Sequence, residues 1–189
     1  MAATRIMTIA ILGVANLCAQ DCAVTVFVMN TPPMLSGYAL YGAQMAVKDM
    51  FARIGVKIAW KWGKVPPMLV GDQCRGPIAI QFDRGEPTGP RGDVLAYATP
   101  YAASAAQIHV FPEVILVHNG TREDVALLAH VLAHEIGHVL ERMDRHSASG
   151  IMQEHFSSQE IDRMSRGPLS FAAEDVELIH EGLESVHAK

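Results

Sequence analysis

The chain has 189 residues, half of them hydrophobic and 19% charged, and its net charge is −5. One domain with a sizeable core fits those numbers, and disorder as the main state does not. Acidic residues outnumber basic ones by 20 to 15, so nothing gathers phosphates and nucleic acid is excluded as an expected partner.

The chain opens with a short positive start ending at Arg5. Ile6 to Leu17 follows, apolar apart from Thr8 and Asn16, and then Cys18-Ala19-Gln20. A positive start, an apolar stretch too short to span a bilayer and a small-residue end are the layout of a secretory signal peptide. Residues 1–20 are therefore expected to be a leader cut after Ala19 or Gln20. Residues 21–189 are expected to form a single domain, secreted or periplasmic. No later apolar run is long enough for a membrane span. Cys18 leaves with the leader, and Cys22 and Cys74 remain as an even pair that an exported chain can join as a disulfide. Two unpaired buried thiols are the alternative.

Val24 to Met29 is a β-rich run that Pro32-Pro33 breaks. Leu35 to Ile54 carries apolar residues at helical spacing and stops near Gly55. Val56 to Trp62 alternates apolar and polar, as a half-buried strand does, and Ile78 to Phe82 reads as another strand. Asp83 to Asp93, with its Gly, Pro and charges, predicts a surface loop. Val94 to Thr99 and Gln107 to Phe111 are short strand candidates. Thr121 with Arg122-Glu123-Asp124 predicts the N-terminus of a helix running from Val125 to Leu140. Ser157 or Ser158 caps a short helix to about Met164, Gly167-Pro168 breaks it, and Glu174 to Val186 reads as a terminal helix. Strands and one helix come first and helices last, which is an α+β order.

Residues 134–138 are His-Glu-Ile-Gly-His. Positions four apart share one helix face, so His134 and His138 offer two ring nitrogens to one metal ion. Glu135 is about 100° further round the axis, within reach of a water at that ion. Zinc suits imidazoles with one open position, so one catalytic zinc is the expected cofactor. Glu135 would take the proton from the water and pass it to the leaving amine. A buried helix with merely satisfied core histidines is the plain alternative. His130, one turn earlier, reads as a packed core histidine.

The segment His134-Glu-Ile-Gly-His138-Val-Leu-Glu141-Arg-Met-Asp144-Arg-His146-Ser147, followed by Ser149-Gly150-Ile151-Met152, resembles the metzincin metallopeptidases, their matrixin-like and archaemetzincin-like members among them. Their pattern is H-E-x-x-H-x-x-G-x-x-H, often followed by Ser, and then a turn containing Met. The resemblance implies a zincin-like fold: a mixed twisted sheet over an active-site helix, with a helical C-terminal part. It implies a peptide or protein substrate lying extended along an edge strand, for which Leu95, Ala96, Tyr97 and Ala98 are the candidates. It makes Met152 an apolar floor beneath the ligands.

The family glycine falls on Glu141 and the family third-ligand position on Asp144, with His146 two residues later. Either a two-residue insertion remakes the bend and His146 binds, or Asp144 binds at the standard spacing. His146 is favoured because its distance to the Met turn fits and imidazole suits zinc; Asp144 then becomes a carboxylate that orients a ligand ring. A third option places the last ligand on a downstream glutamate, Glu160 or Glu174. The function expected is that of a secreted zinc metalloendopeptidase. A metzincin-like module that binds zinc or a partner without turnover, and a zinc hydrolase of non-peptide amides, are the alternatives.

Overall fold

The apolar run near the start of the chain forms strand β1 (Ala23–Val28), and its alternate residues Val24, Val26 and Val28 are buried on one sheet face. A computed structural model describes residues 23–66, 76–85, 87, 94–99, 105–118 and 120–185. The expected leader, the Cys22–Cys74 pair and most of the loop over 83–93 lie outside the described residues.

Helix α1 (Gly37–Ala52) follows β1, its start fixed by Ser36, whose side chain accepts a 3.1 Å hydrogen bond from the Ala39 amide. The helix buries Leu40, Ala43, Val47, Met50 and Phe51 on one side. The chain returns as β2 (Lys57–Trp62), parallel to β1 from Ala23↔Lys57 to Val28↔Trp62. Strands β3 (Ile78–Phe82), β4 (Ala96–Thr99) and β5 (Ala106–Val110) complete a sheet ordered β2-β1-β3-β5-β4 among the described residues. The first four members run parallel, and β4 is antiparallel to β5 at the edge. The sheet is therefore mixed, as expected for an α+β fold of zincin type.

One helical turn, α2 (Pro112–Ile115), was not predicted. Its signal is Pro112 at the first helical position, where a missing N–H costs nothing. Helices α3 (Arg122–Glu141), α4 (Ser158–Arg166) and α5 (Ala173–Glu184) fall within two or three residues of their predicted bounds. Strand β4 starts at Ala96, two residues after the expected Val94; Leu95 precedes it, its carbonyl accepting from the Phe111 amide at 3.0 Å.

Helix α3 is the centre of the molecule. Leu128, Leu132, Ile136 and Leu140, four apart, are fully buried and pack in one core with β1, β3, β5 and α1. Each buried aliphatic side chain contributes roughly 1.5–3 kcal/mol, and truncating Leu132 to Ala would cost about 2–5 kcal/mol. The sequence predicts one apolar side. The structure instead buries every residue from Leu127 to Glu141, because α4 and α5 cover the polar side as well. The stripe His130, His134, His138 and Glu141 is thereby taken out of water. Among the described residues, no helix is long and apolar enough to cross a membrane.

Candidate metal centre

The start of α3 is locked before its histidines are reached. Thr121 accepts from the Asp124 amide, and the buried Asp124 carboxylate accepts from the amides of Gly120 at 2.8 Å, His118 at 3.1 Å and Thr121 at 3.2 Å. This reciprocal cap satisfies donors that a helix start otherwise leaves unpaired. It fixes the rotation of the helix that carries His134, Glu135 and His138.

Each helical histidine is oriented by a backbone carbonyl. His134 Nδ1 donates to the Ile151 carbonyl at 2.8 Å, and His138 Nδ1 donates to the Met143 carbonyl at 3.1 Å. A carbonyl only accepts, so each neutral ring carries its proton on Nδ1 and has a bare Nε2. Those two Nε2 atoms stand 2.9 Å apart. Two bare lone pairs at that distance repel, and a cation between them turns the repulsion into chelation. Two nitrogens on one tetrahedral zinc lie about 3.3 Å apart, so the donor pair fits such an ion.

His146 completes the set. Its ring stacks 5.2 Å from His134 and stands edge-on 5.0 Å from His138. One ligand nitrogen from each of His134, His138 and His146 lies within 4.8 Å of the others; among the described residues no other group of three metal-binding side chains converges so closely. Asp144 is exposed and lies outside the cluster. Among the described residues the rings of His134 and His138 are oriented by loop carbonyls, and no hydrogen bond joins Asp144 to a ligand ring. Glu160 caps α4 through Ser157, accepting from its amide at 2.8 Å, and Glu174 is 75% exposed against Arg145. Neither joins the cluster.

Burial sets the charge states. His134 is pushed down to about 3, first by desolvation and then by His138 and His146, with the Ile151 carbonyl pulling it back. His138 is lowered by burial and then by His146. Both rings are therefore neutral and free to coordinate at ordinary pH. Glu135, only 6% exposed, is pushed up to about 8 by burial and then by Asp144. A cation held by the neighbouring rings would lower it again.

Met152 lies fully buried beneath the helix. A Cβ on Gly137 would collide with its sulfur, so the glycine inside the motif admits the methionine. The turn is closed by Ser147 N donating to Met152 O at 2.8 Å and Ile151 N to Ser170 O at 3.1 Å. Gly150 has φ +87°, and a Cβ there would sit 2.5 Å from the Ser170 carbonyl. Helix α3 ends at Arg142, a non-glycine residue in the left-handed region at φ 58°, one residue after Glu141.

His130 is a packed histidine. Its Nδ1 donates to Ala126 O at 2.7 Å, and its Nε2 accepts from Leu169 N at 2.9 Å. Of the expected substrate strand, Ala96, Tyr97 and Ala98 lie in β4 at the sheet edge, next to α3, with Tyr97 stacked on His109 at 4.8 Å. Sequence reasoning missed Gly137, whose cost inside a helix is the available signal. It missed Phe156, edge-on to His134 at 6.3 Å, and Asp175, which a first-turn acid gave no reason to single out.

No family model matches the sequence, and no curated protein matches it. Among solved structures the chain is similar to archaemetzincin from Methanopyrus kandleri, at 17% identity over 88% of this chain and 98% of that one, with a TM-score of 0.50. At that identity the likeness shows the fold alone: a zincin-like α+β arrangement of mixed sheet and helices, in which three histidines of this chain converge at the central helix.

Proposed function

We propose that this chain is a zinc-dependent metalloendopeptidase, exported by its N-terminal leader. The observation that carries the reading is the convergence of His134, His138 and His146 with a buried carboxyl at the adjoining position, Glu135. His134, His138 and His146 would hold the ion. Zinc held there would polarise the scissile carbonyl and bring the pKa of water near neutrality. Glu135 takes the proton of the attacking water and returns it to the departing amine. The substrate backbone extends along β4, the edge strand among the described residues, and hydrogen-bonds to it. Met152, packed on Gly137, keeps the floor of the site apolar and fixed.

The test is metal content by mass spectrometry together with hydrolysis of an unstructured protein. The chain is expected to hold about one zinc. Glu135→Gln should keep the zinc and lose roughly 100-fold or more in rate. Hydrolysis unchanged by Glu135→Gln would rule out the mechanism. Retained zinc with no hydrolysis of any peptide or amide would leave a binding module.

A further inference from the structure

His134 and His138 are each aimed by a hydrogen bond from their own ring. Among the described residues no hydrogen bond reaches the ring of His146, which is exposed. Its placement has to come from the chain on either side of it. Arg145 and Ser147 both end on one carboxylate oxygen, Oδ1 of Asp175 in α5. Arg145 donates to it from Nη1 at 3.3 Å and Nη2 at 3.2 Å, and the Ser147 hydroxyl donates to it as well. Arg145 Nη1 also donates to Ser147 Oγ at 3.0 Å, closing the triangle. The other oxygen, Oδ2, accepts from Ala172 N at 3.0 Å and caps α5.

Asp175 is fully buried, so these are charge-assisted bonds away from water. The residues before and after His146 are thus drawn to α5. The ring of the residue between them lies against His134 and His138. Ser147 is also fastened by its amide to the Met152 carbonyl at 2.8 Å. The link from His138 to His146 is two residues longer than the family pattern and has no glycine at Glu141. A longer link carries more freedom to lose, and the Arg145–Asp175–Ser147 clasp removes it.

We propose that Asp175 is the positioning residue for His146, setting metal affinity through Arg145 and Ser147 from a helix 30 residues beyond Arg145. This rests on the reading of the three histidines as zinc ligands.

The experiment is zinc affinity of the metal-free chain by competition with a chromophoric chelator, with visible spectra of the cobalt-loaded chain beside it. Asp175→Asn keeps an acceptor for the Ala172 amide and loses the buried one of the two charges on Arg145, leaving the exposed Glu174 at 3.2 Å. It should weaken zinc about 10- to 100-fold and alter the cobalt spectrum. The same change made on His146→Ala should add less than about twofold, because the ring it positions is gone. A merely structural role would give the same loss in both backgrounds, and that result overturns the proposal. Unchanged affinity in Asp175→Asn overturns it too. Should Asp175→Asn fail to fold, Ser147→Ala leaves Asp175 and its cap intact. It should still cost at least about threefold in zinc affinity, and no loss there overturns the proposal. A folded wild-type chain that takes up no zinc overturns this proposal and the zinc reading together, whereas wild-type binding that Asp175→Asn leaves intact overturns the positioning alone.

Discussion

Glu141→Gln should make the metal-free protein more stable, and increasingly so as pH rises. Glu141 is 3% exposed on the last turn of α3, and neither carboxylate oxygen has a hydrogen-bond partner among the described residues. Burial first, then Asp175 and, less, Glu174 raise it from an ordinary 4.5 to about 7, against the pull of Arg145. A folded-state pKa above the unfolded one means that folding favours the protonated acid. That contribution is fully present below about pH 4.5 and is lost as pH climbs through about 7. One proton over that interval, at about 1.36 kcal/mol per pH unit, amounts to about 3 kcal/mol lost by pH 8. Glutamine has no proton to lose and keeps the shape. Urea denaturation of both chains in chelator should give stabilities within about 1 kcal/mol of each other at pH 5, and about 2–3 kcal/mol in favour of the variant at pH 8. A difference independent of pH, or a less stable variant at pH 8, would show that Arg145 already neutralises this carboxylate and would refute the reasoning.

Two ordinary imidazoles would together lose about tenfold in metal affinity between pH 7 and pH 6, by protonation alone. His134 and His138 are depressed by burial, so the loss measured by chelator competition should stay below tenfold, and a larger one would contradict their neutrality. A Cβ on Gly182 of α5 would run into the Leu140 carbonyl of α3, where backbone meets backbone; one on Gly137 meets the flexible end of Met152. Gly182→Ala should therefore cost about 3 kcal/mol or more, and Gly137→Ala less, since the end of Met152 can shift where a backbone carbonyl cannot. Thermal melts that rank the two the other way would contradict the close α3–α5 contact. Thr121→Ala removes the cap of α3 and should cost about 1 kcal/mol, read from the same melts; an unchanged melt would mean that Asp124 holds the helix start unaided.

Local chemistry was legible wherever one short segment decided it. Thr121 with Asp124 announced the start of α3, and the apolar runs at Val24 to Met29 and Ile78 to Phe82 announced two buried strands. The pair His134 and His138 followed from helix geometry alone. The short β4 was readable as a strand, but its place at the sheet edge was not, because strand order depends on contacts far apart in sequence. Asp175 shows the same limit at the site. In the sequence it is one of two acids in a helix's first turn, where acids belong for reasons of capping and dipole. Only the packing of α5 against α3, through the close contact at Gly182, brings its carboxylate to Arg145 and Ser147. The third histidine was ambiguous for that reason. Spacing from His138 put Asp144 at the family position while spacing to the Met turn favoured His146, and the element that turns the chain so that His146 faces the other two rings lies beyond the motif.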